Sequence, residues 1–182
     1  CGLGVPGMVC AAYGAHTVIT DDPEVLPCLK RRVSSNFGSD ANCEGAGSLQ
    51  AAGLKWGAKA TADFMELFGK FDFIVCNDCV CERVYGQAWR LLVESMETLC
   101  SSSTEVVISV ERRGKGEDVQ RFLSTLACNF KVELLCKVQN VEVFSAHQLK
   151  TLATRPHPQL EGQLAYDNRR KFNLQWLNCC RS

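Results

Sequence analysis

Three features of this sequence predict an α/β fold on a mostly parallel sheet with an antiparallel edge. They are a glycine-rich turn at its start, β-branched runs alternating with helical patterns, and two adjacent strand patterns around residue 140. The turn, Gly2-Leu3-Gly4-Val5-Pro6-Gly7, has the spacing G-x-G-x-x-G. Without side chains, its backbone N–H groups can approach a ligand at the start of a helix. Gly14 is placed to end that helix in the left-handed conformation. His16 to Thr20 (HTVIT) reads as a strand closed by Asp21, about 20 residues beyond the first glycine, where a carboxylate would accept hydrogen bonds from ribose hydroxyls. The combination points to a nucleoside-containing cofactor. The plain alternative is a tight strand-to-helix turn and a strand-end aspartate.

Asp22-Pro23-Glu24 reads as a helix start, with Val25, Leu26, Leu29 and Val33 as its apolar stripe. Pro27, one turn in, should cost a hydrogen bond or a slight kink, and Lys30 to Arg32 read as a solvated face. Residues 37 to 50 (FGSDANCEGAGSLQ) read as a flexible connection. A short strand, Gly53 to Gly57, carries Trp56 near its end, and a brief helix is expected over Ala62 to Phe68. Phe71 to Cys76 is a further strand, leaving Asp78 beyond its carboxyl end, where ligands of open α/β sheets lie. Tyr85 to Cys100 reads as one helix with Trp89, Leu92, Val93, Met96 and Leu99 on its buried face. Thr104 to Val110 is a strand ending at Glu111-Arg112-Arg113, and Val119, Phe122, Leu123, Leu126 and Ala127 mark another helix. Lys131 to Val138 and Val141 to Ser145 make a hairpin around Gln139-Asn140. Beyond Ala146 the pattern fades. Residues 1–146 are therefore expected as the domain and 147–182 as a poorly ordered tail, with a docking helix at Arg169 to Leu177 as the alternative.

Composition narrows the function. At 182 residues, 46% of them hydrophobic, the chain can bury a substantial core. Twenty basic residues balance twenty acidic ones, which argues against a sequence-independent nucleic-acid or membrane-surface binder. No run approaches the roughly 18 apolar residues of a membrane span. Most of the twelve cysteines sit in apolar segments as small hydrophobes, as in the reducing cytoplasm. Cys76, Cys79 and Cys81 are close enough in sequence to read as metal thiolates; with no equally compact partner, no metal site is expected. The chain opens on Cys1 inside the glycine turn with no strand before it, so an N-terminally truncated domain is expected.

In order, the segments G-L-G-V-P-G (Gly2 to Gly7), P-E-V-L-P (Pro23 to Pro27) after Asp21, L-K-W-G (Leu54 to Gly57), N-D-C-V-C (Asn77 to Cys81) and E-R-R (Glu111 to Arg113) resemble the eukaryotic protein-lysine methyltransferases of the seven-strand class. The resemblance covers roughly residues 1 to 145 by the order and spacing of these segments. It implies a Rossmann-like seven-strand sheet, S-adenosylmethionine as cofactor, and methyl transfer to a lysine of a non-histone protein such as a translation factor or chaperone. A cytoplasmic monomer without nucleic-acid or membrane partners is expected.

Gly2, Gly4 and Gly7 would form the cofactor loop, Asp21 would hold the ribose, Trp56 would pack beside the adenine, and Asp78 would lie near the methyl donor and the acceptor lysine. Two departures stand out. Cys81 replaces the tyrosine of the family's D-x-x-Y signature, leaving Tyr85, about one helical turn on, as a catalytic candidate beside Asp78. The first strand, central to the sheet in this class, is missing, which should expose two strand edges or force an unfamiliar pairing. Glu111 is expected to pair with Arg112 or Arg113. The rival readings are a degenerate, non-catalytic binding module and an NAD-dependent oxidoreductase, whose fingerprint shares the glycines and Asp21.

Overall fold

The computed structural model describes residues 2–37, 47–149 and the strand Asn173–Leu177. Its first elements are helix α1 (Val5–Ala12), strand β1 (His16–Asp21), helix α2 (Leu26–Phe37), strand β2 (Ser48–Gly53), helix α3 (Ala58–Phe68) and strand β3 (Phe73–Asn77). They are followed by helices α4 (Glu82–Tyr85) and α5 (Trp89–Leu99), strand β4 (Glu105–Glu111), helix α6 (Glu117–Leu126) and strands β5 (Phe130–Val138), β6 (Val141–Gln148) and β7 (Asn173–Leu177). One seven-stranded sheet runs β2-β1-β7-β3-β4-β6-β5. Its first five strands are parallel and the β5–β6 hairpin is antiparallel, the predicted fold class.

Alternation explains the sheet's burial. In β4 every second residue is buried, so Val106, Ile108 and Val110 enter the core beside Ile74, Cys76, Phe122 and the α5 residues Trp89, Leu92, Val93, Met96 and Leu99. The α5 stripe is as the helical spacing predicts. A smaller cluster, Ile19 and Leu29, packs under β1 and α2.

The centre of the sheet overturns the expectation of an open slot. Strand β7 lies between β1 and β3, with Asn173 opposite His16, Leu177 opposite Thr20, and Leu174 opposite Phe73. The unfamiliar pairing expected as one alternative is therefore what occurs, and β7 completes a seven-stranded sheet. Five residues that the sequence reading assigned to a tail, or to a docking helix, are strand instead. A strand's backbone groups demand partners, and the two inner edges of β1 and β3 supply them for β7.

Local corrections have local causes. Asp22 to Val25 form a turn rather than helix, with Glu24 N–H donating to the Asp22 carboxylate at 2.9 Å. Helix α2 starts at Leu26, three residues later than the expected first position Pro23, so Pro27 is its second residue, where its missing N–H has no intrahelical partner to lose. The Tyr85–Cys100 helix is broken by Gly86, at φ 57, into α4 and α5. Strand β2 begins at Ser48, inside the supposed connection, and Trp56 lies three residues beyond the strand's end. The rest of that connection, 38–46, lies outside the described residues.

Candidate active site

The carboxyl ends of β1, β2, β3 and β4 share one edge of the sheet, since Asp21 is in register with Gly53 and Asn77 with Ser109. Asp21 and Asp78 sit on or just beyond that edge, with Gly2 held against Asp21. Gly2 and Gly4 have positive φ, 56 and 74, which glycine adopts without strain. A Cβ on Gly4 would stand 3.0 Å from Ile19 Cδ1, so the loop lies directly against β1. Gly2 N–H donates to Asp21 Oδ2 at 3.2 Å, and Asp22 N–H to Asp21 Oδ1 at 2.8 Å. Gly2 C=O accepts from Arg32 Nη1 at 3.1 Å. Both sides of Gly2 are thus anchored, one to the acid and one to α2. Gly7 does not belong to the loop; it is the third residue of α1 and is buried.

Asp78 follows β3 at φ 54, a left-handed conformation that aspartate tolerates better than most side chains. Its N–H donates to Ser109 C=O at 2.7 Å, which fixes the turn against β4. Its carboxylate is gripped by Arg113, with Nη1 donating to Oδ1 at 3.0 Å and Nη2 to Oδ2 at 2.6 Å. Arg113 also pairs with Glu111, as expected for that glutamate, and these carboxylates hold the guanidinium's pKa above its ordinary range, the hydrogen bond it donates to Asp78 contributing most. Asn140 Nδ2 donates to Glu111 Oε1 at 2.7 Å, so the turn of the β5–β6 hairpin completes the chain Asp78–Arg113–Glu111–Asn140.

Beside Asp78, Cys76, Cys79 and Cys81 are buried. Burial, and then the neighbouring Cys79, push the Cys76 thiol well up, so it is a packed thiol rather than a nucleophile. Among the described residues, no group of three or more His, Cys, Asp or Glu side chains could hold a metal ion. No described helix is long and apolar enough to cross a membrane.

The family profile for lysine methyltransferases matches residues 1–129. The chain belongs to the lysine methyltransferase family. It is 34% identical over 128 residues to secreted RxLR effector protein 48 of Plasmopara viticola, covering 66% of this chain and 64% of that protein. It is 25% identical to EEF1A lysine methyltransferase 3 of Xenopus tropicalis, covering 78% and 58%, and 28% identical to protein N-lysine methyltransferase METTL21A of Danio rerio, covering 72% and 55%. The chain spans about three fifths of the length of these relatives.

In this member of the lysine methyltransferase family Cys81, where the resemblance implies a tyrosine, is 6% exposed and stands at the N-cap position of α4. Tyr85 ends α4, half-buried. Two hydrogen bonds to the Asp78 carboxylate come from Arg113. Helix α4 is clamped at its start: Glu82 accepts from Trp89 Nε1 at 2.9 Å and Arg121 Nη2 at 2.7 Å. These two donors, Trp89 first, hold the Glu82 carboxyl below its usual range.

Trp56 is half-buried on a cleft of about 460 Å³ that Gly57, Lys59, Asp63 and Glu94 also line. None of the glycine-turn residues, Asp21 or Asp78 lines that cleft. The structure therefore joins Gly2 to Asp21, sets Gly4 against Ile19 of the same strand, links Asp78 to Glu111 through Arg113, and leaves Trp56 on a separate cleft. Arg32 and Arg113 were missed as site residues. The signal for Arg32 was its position three residues after the buried Leu29, on one helical face.

Proposed function

We propose that this chain is the catalytic domain of an S-adenosylmethionine-dependent protein-lysine methyltransferase. The observation that carries the reading is the contact of the glycine turn with a buried carboxylate, Gly2 N–H on Asp21, on the sheet edge that also presents Asp78. A carboxylate has about four acceptor sites, so Asp21, beside a loop without side chains, suits a ribose diol. Gly2, Gly4 and Asp21 would hold the cofactor, with Gly7 letting α1 approach and Trp56 packing near the adenine. The chemistry the cofactor supplies there is a transferable methyl group on a cationic sulfur.

The chain's own residues do the rest. Asp78, fixed by Ser109 and Arg113, attracts the acceptor ammonium and aims its nitrogen, while the proton leaves to solvent before transfer; orientation of this kind supplies much of such a rate enhancement. Tyr85, at the end of α4, is the remaining polar candidate for contacting the acceptor. The names of the frog and zebrafish relatives support a protein acceptor, and the frog one a translation factor; a chaperone is the other acceptor class in this reading. Free thiols at the eight described cysteines accord with the cytoplasm, and we take the working unit to be a monomer.

Thermal unfolding with and without S-adenosylhomocysteine, with NAD as control, tests the cofactor: at a hundredfold excess over its dissociation constant the ligand should add about 2.7 kcal/mol. Asp78→Ala should then abolish methyl transfer to proteins of a cell lysate while preserving that stabilisation; equal loss of both counts against the assigned role. A second reading, a non-catalytic binding module, is favoured by the buried Cys81 in the signature position. Cofactor binding without any transfer by the unmodified protein would select it.

A further inference from the structure

We infer that Arg113 is a positioning residue that keeps the acceptor lysine from being trapped as an ammonium by Asp78. The inference rests on the reading above that Asp78 receives the lysine. A methyl acceptor needs its nitrogen lone pair, yet a lysine amine carries a proton up to about pH 10.4. A carboxylate close to it attracts the ammonium and, by the same attraction, favours the charged form, by about 1–3 pH units for a close pair. Asp78 alone would therefore collect the substrate in its unreactive state, and Glu111, one residue past the buried Val110 on β4, would deepen the trap.

Arg113 opposes this. The charged and titratable groups acting on its guanidinium are Asp78 from the end of β3, Glu111 from β4 and the Cys81 thiol from the start of α4. Two further cations, Arg112 beside it in sequence and Lys137, are engaged elsewhere: both bond Glu142, at 2.7 and 2.9 Å. With Arg113, the two carboxylates and the guanidinium sum to one negative charge; without it they sum to two. The two-pronged contact also fixes the plane of the Asp78 carboxylate at a residue already locked by its left-handed backbone and its bond to Ser109. Asp78 and Arg113 side chains are 33% and 39% exposed, so the pair faces the side from which a protein acceptor arrives. Orientation is retained while half of the attraction that would hold the ammonium is cancelled.

The test compares the unmodified chain with Arg113→Gln, which removes the charge, and Arg113→Lys, which keeps the charge but not the fork. Each protein is saturated with S-adenosylhomocysteine, and thermal unfolding reports folding and cofactor binding separately. Nα-acetyl-lysine methylamide, labelled with carbon-13 at Cε and present at millimolar concentration, is titrated by NMR between pH 6 and 11. The native protein and Arg113→Lys should titrate the bound probe alike, with Arg113→Gln displaced upward by roughly one pH unit. Identical curves for all three, or a probe whose titration ignores the protein, overturns the inference. In transfer assays the rise of kcat/KM with pH should move with the probe. Faster transfer by Arg113→Gln at neutral pH would instead make Arg113 a competing cation and would also overturn it. A native protein that binds S-adenosylhomocysteine but methylates nothing defeats the catalytic reading alone, because the probe titration still decides the role of Arg113.

Discussion

Replacing Gln175 by proline puts the central strand on trial. Gln175 is the middle residue of β7, opposite Val18 on β1 and Ile74 on β3. Ile74 is fully buried, and Val18 packs against the main core. Proline removes the ladder N–H, a net loss of about 1 kcal/mol, and strands a carbonyl away from water, about 1–3 kcal/mol more. Its ring must also fit between strands about 4.8 Å apart on either side, where proline is not accommodated. The sum is about 3–5 kcal/mol, a third or more of the stability of an ordinary domain, and lowers Tm by roughly 10 °C in a chain of this size. Gln175→Ala keeps the N–H and serves as the control, with an expected cost below about 1 kcal/mol. Urea unfolding of both variants, with and without S-adenosylhomocysteine, measures the difference, and the proline variant should also lose most of its ligand stabilisation. Equal midpoints for the two variants would refute the placement of β7 between β1 and β3.

Gly4→Ala should cost about 1–2 kcal/mol, because the left-handed backbone penalises any side chain and the new methyl would press on Ile19; isothermal titration should show weaker S-adenosylhomocysteine binding as the loop shifts. Ser95→Ala should cost about 2–3 kcal/mol by denaturant unfolding, since the buried Ser95 hydroxyl accepts from Gly57 N–H at 2.8 Å and Thr61 Oγ1 at 3.0 Å, leaving an amide without its partner. Burial alone would raise the Glu142 carboxyl, but hydrogen bonds from Lys137 and Arg112 outweigh it and hold its pKa below the usual value. A depressed folded pKa gives stability that is present above the unfolded value near 4.5 and is lost as pH falls through the folded one. Glu142→Gln should therefore be less stable by about 1–2 kcal/mol at pH 7, and Tm measured from pH 7 to 3 should fall less steeply for it than for the native chain. Cys100, whose thiol burial pushes up to about 12, gives the opposite sign: its contribution is complete below pH 9 and is lost above it, so Cys100→Ala should flatten the fall of Tm between pH 9 and 11.

Elements with local signatures were legible. Alternation in TEVVISV and the helical spacing of Trp89, Leu92, Val93, Met96 and Leu99 report burial through periods of 2 and 3.6 that the backbone imposes. The Gln139-Asn140 turn was readable too, Gln139 adopting φ 55 as tight hairpins require. Boundaries failed where one residue had two possible uses: Pro27 interrupts a helix in its interior and suits one in its first turn, and the residues around it do not say which. What could not be read were pairings whose partners are distant in the chain. NLQWL alternates polar and apolar residues as a strand does, but behind the basic run Arg169 to Lys171 it reads equally as part of a weakly amphipathic helix, and its place in the sheet is set by the open edges of β1 and β3. Arg113 and Asp78 lie 35 residues apart and meet only because β3 and β4 are in parallel register. The place of Asp21 at the end of β1, by contrast, was legible from spacing alone, because strand and acid are consecutive.

The position of β7 also has a kinetic meaning. Its partners on β1 and β3 are at least a hundred residues away in sequence, so these are the most expensive contacts in the sheet to close. The strands on either side can assemble without it: β1 and β2 over the small Ile19 and Leu29 cluster, and β3 to β6 over the large one. Until β7 arrives, each half presents an unpaired parallel edge, the form of surface that templates association with other chains. Refolding yield should therefore drop with protein concentration, and the step that rescues the chain from self-association is the late docking of five residues into a seam between two finished halves.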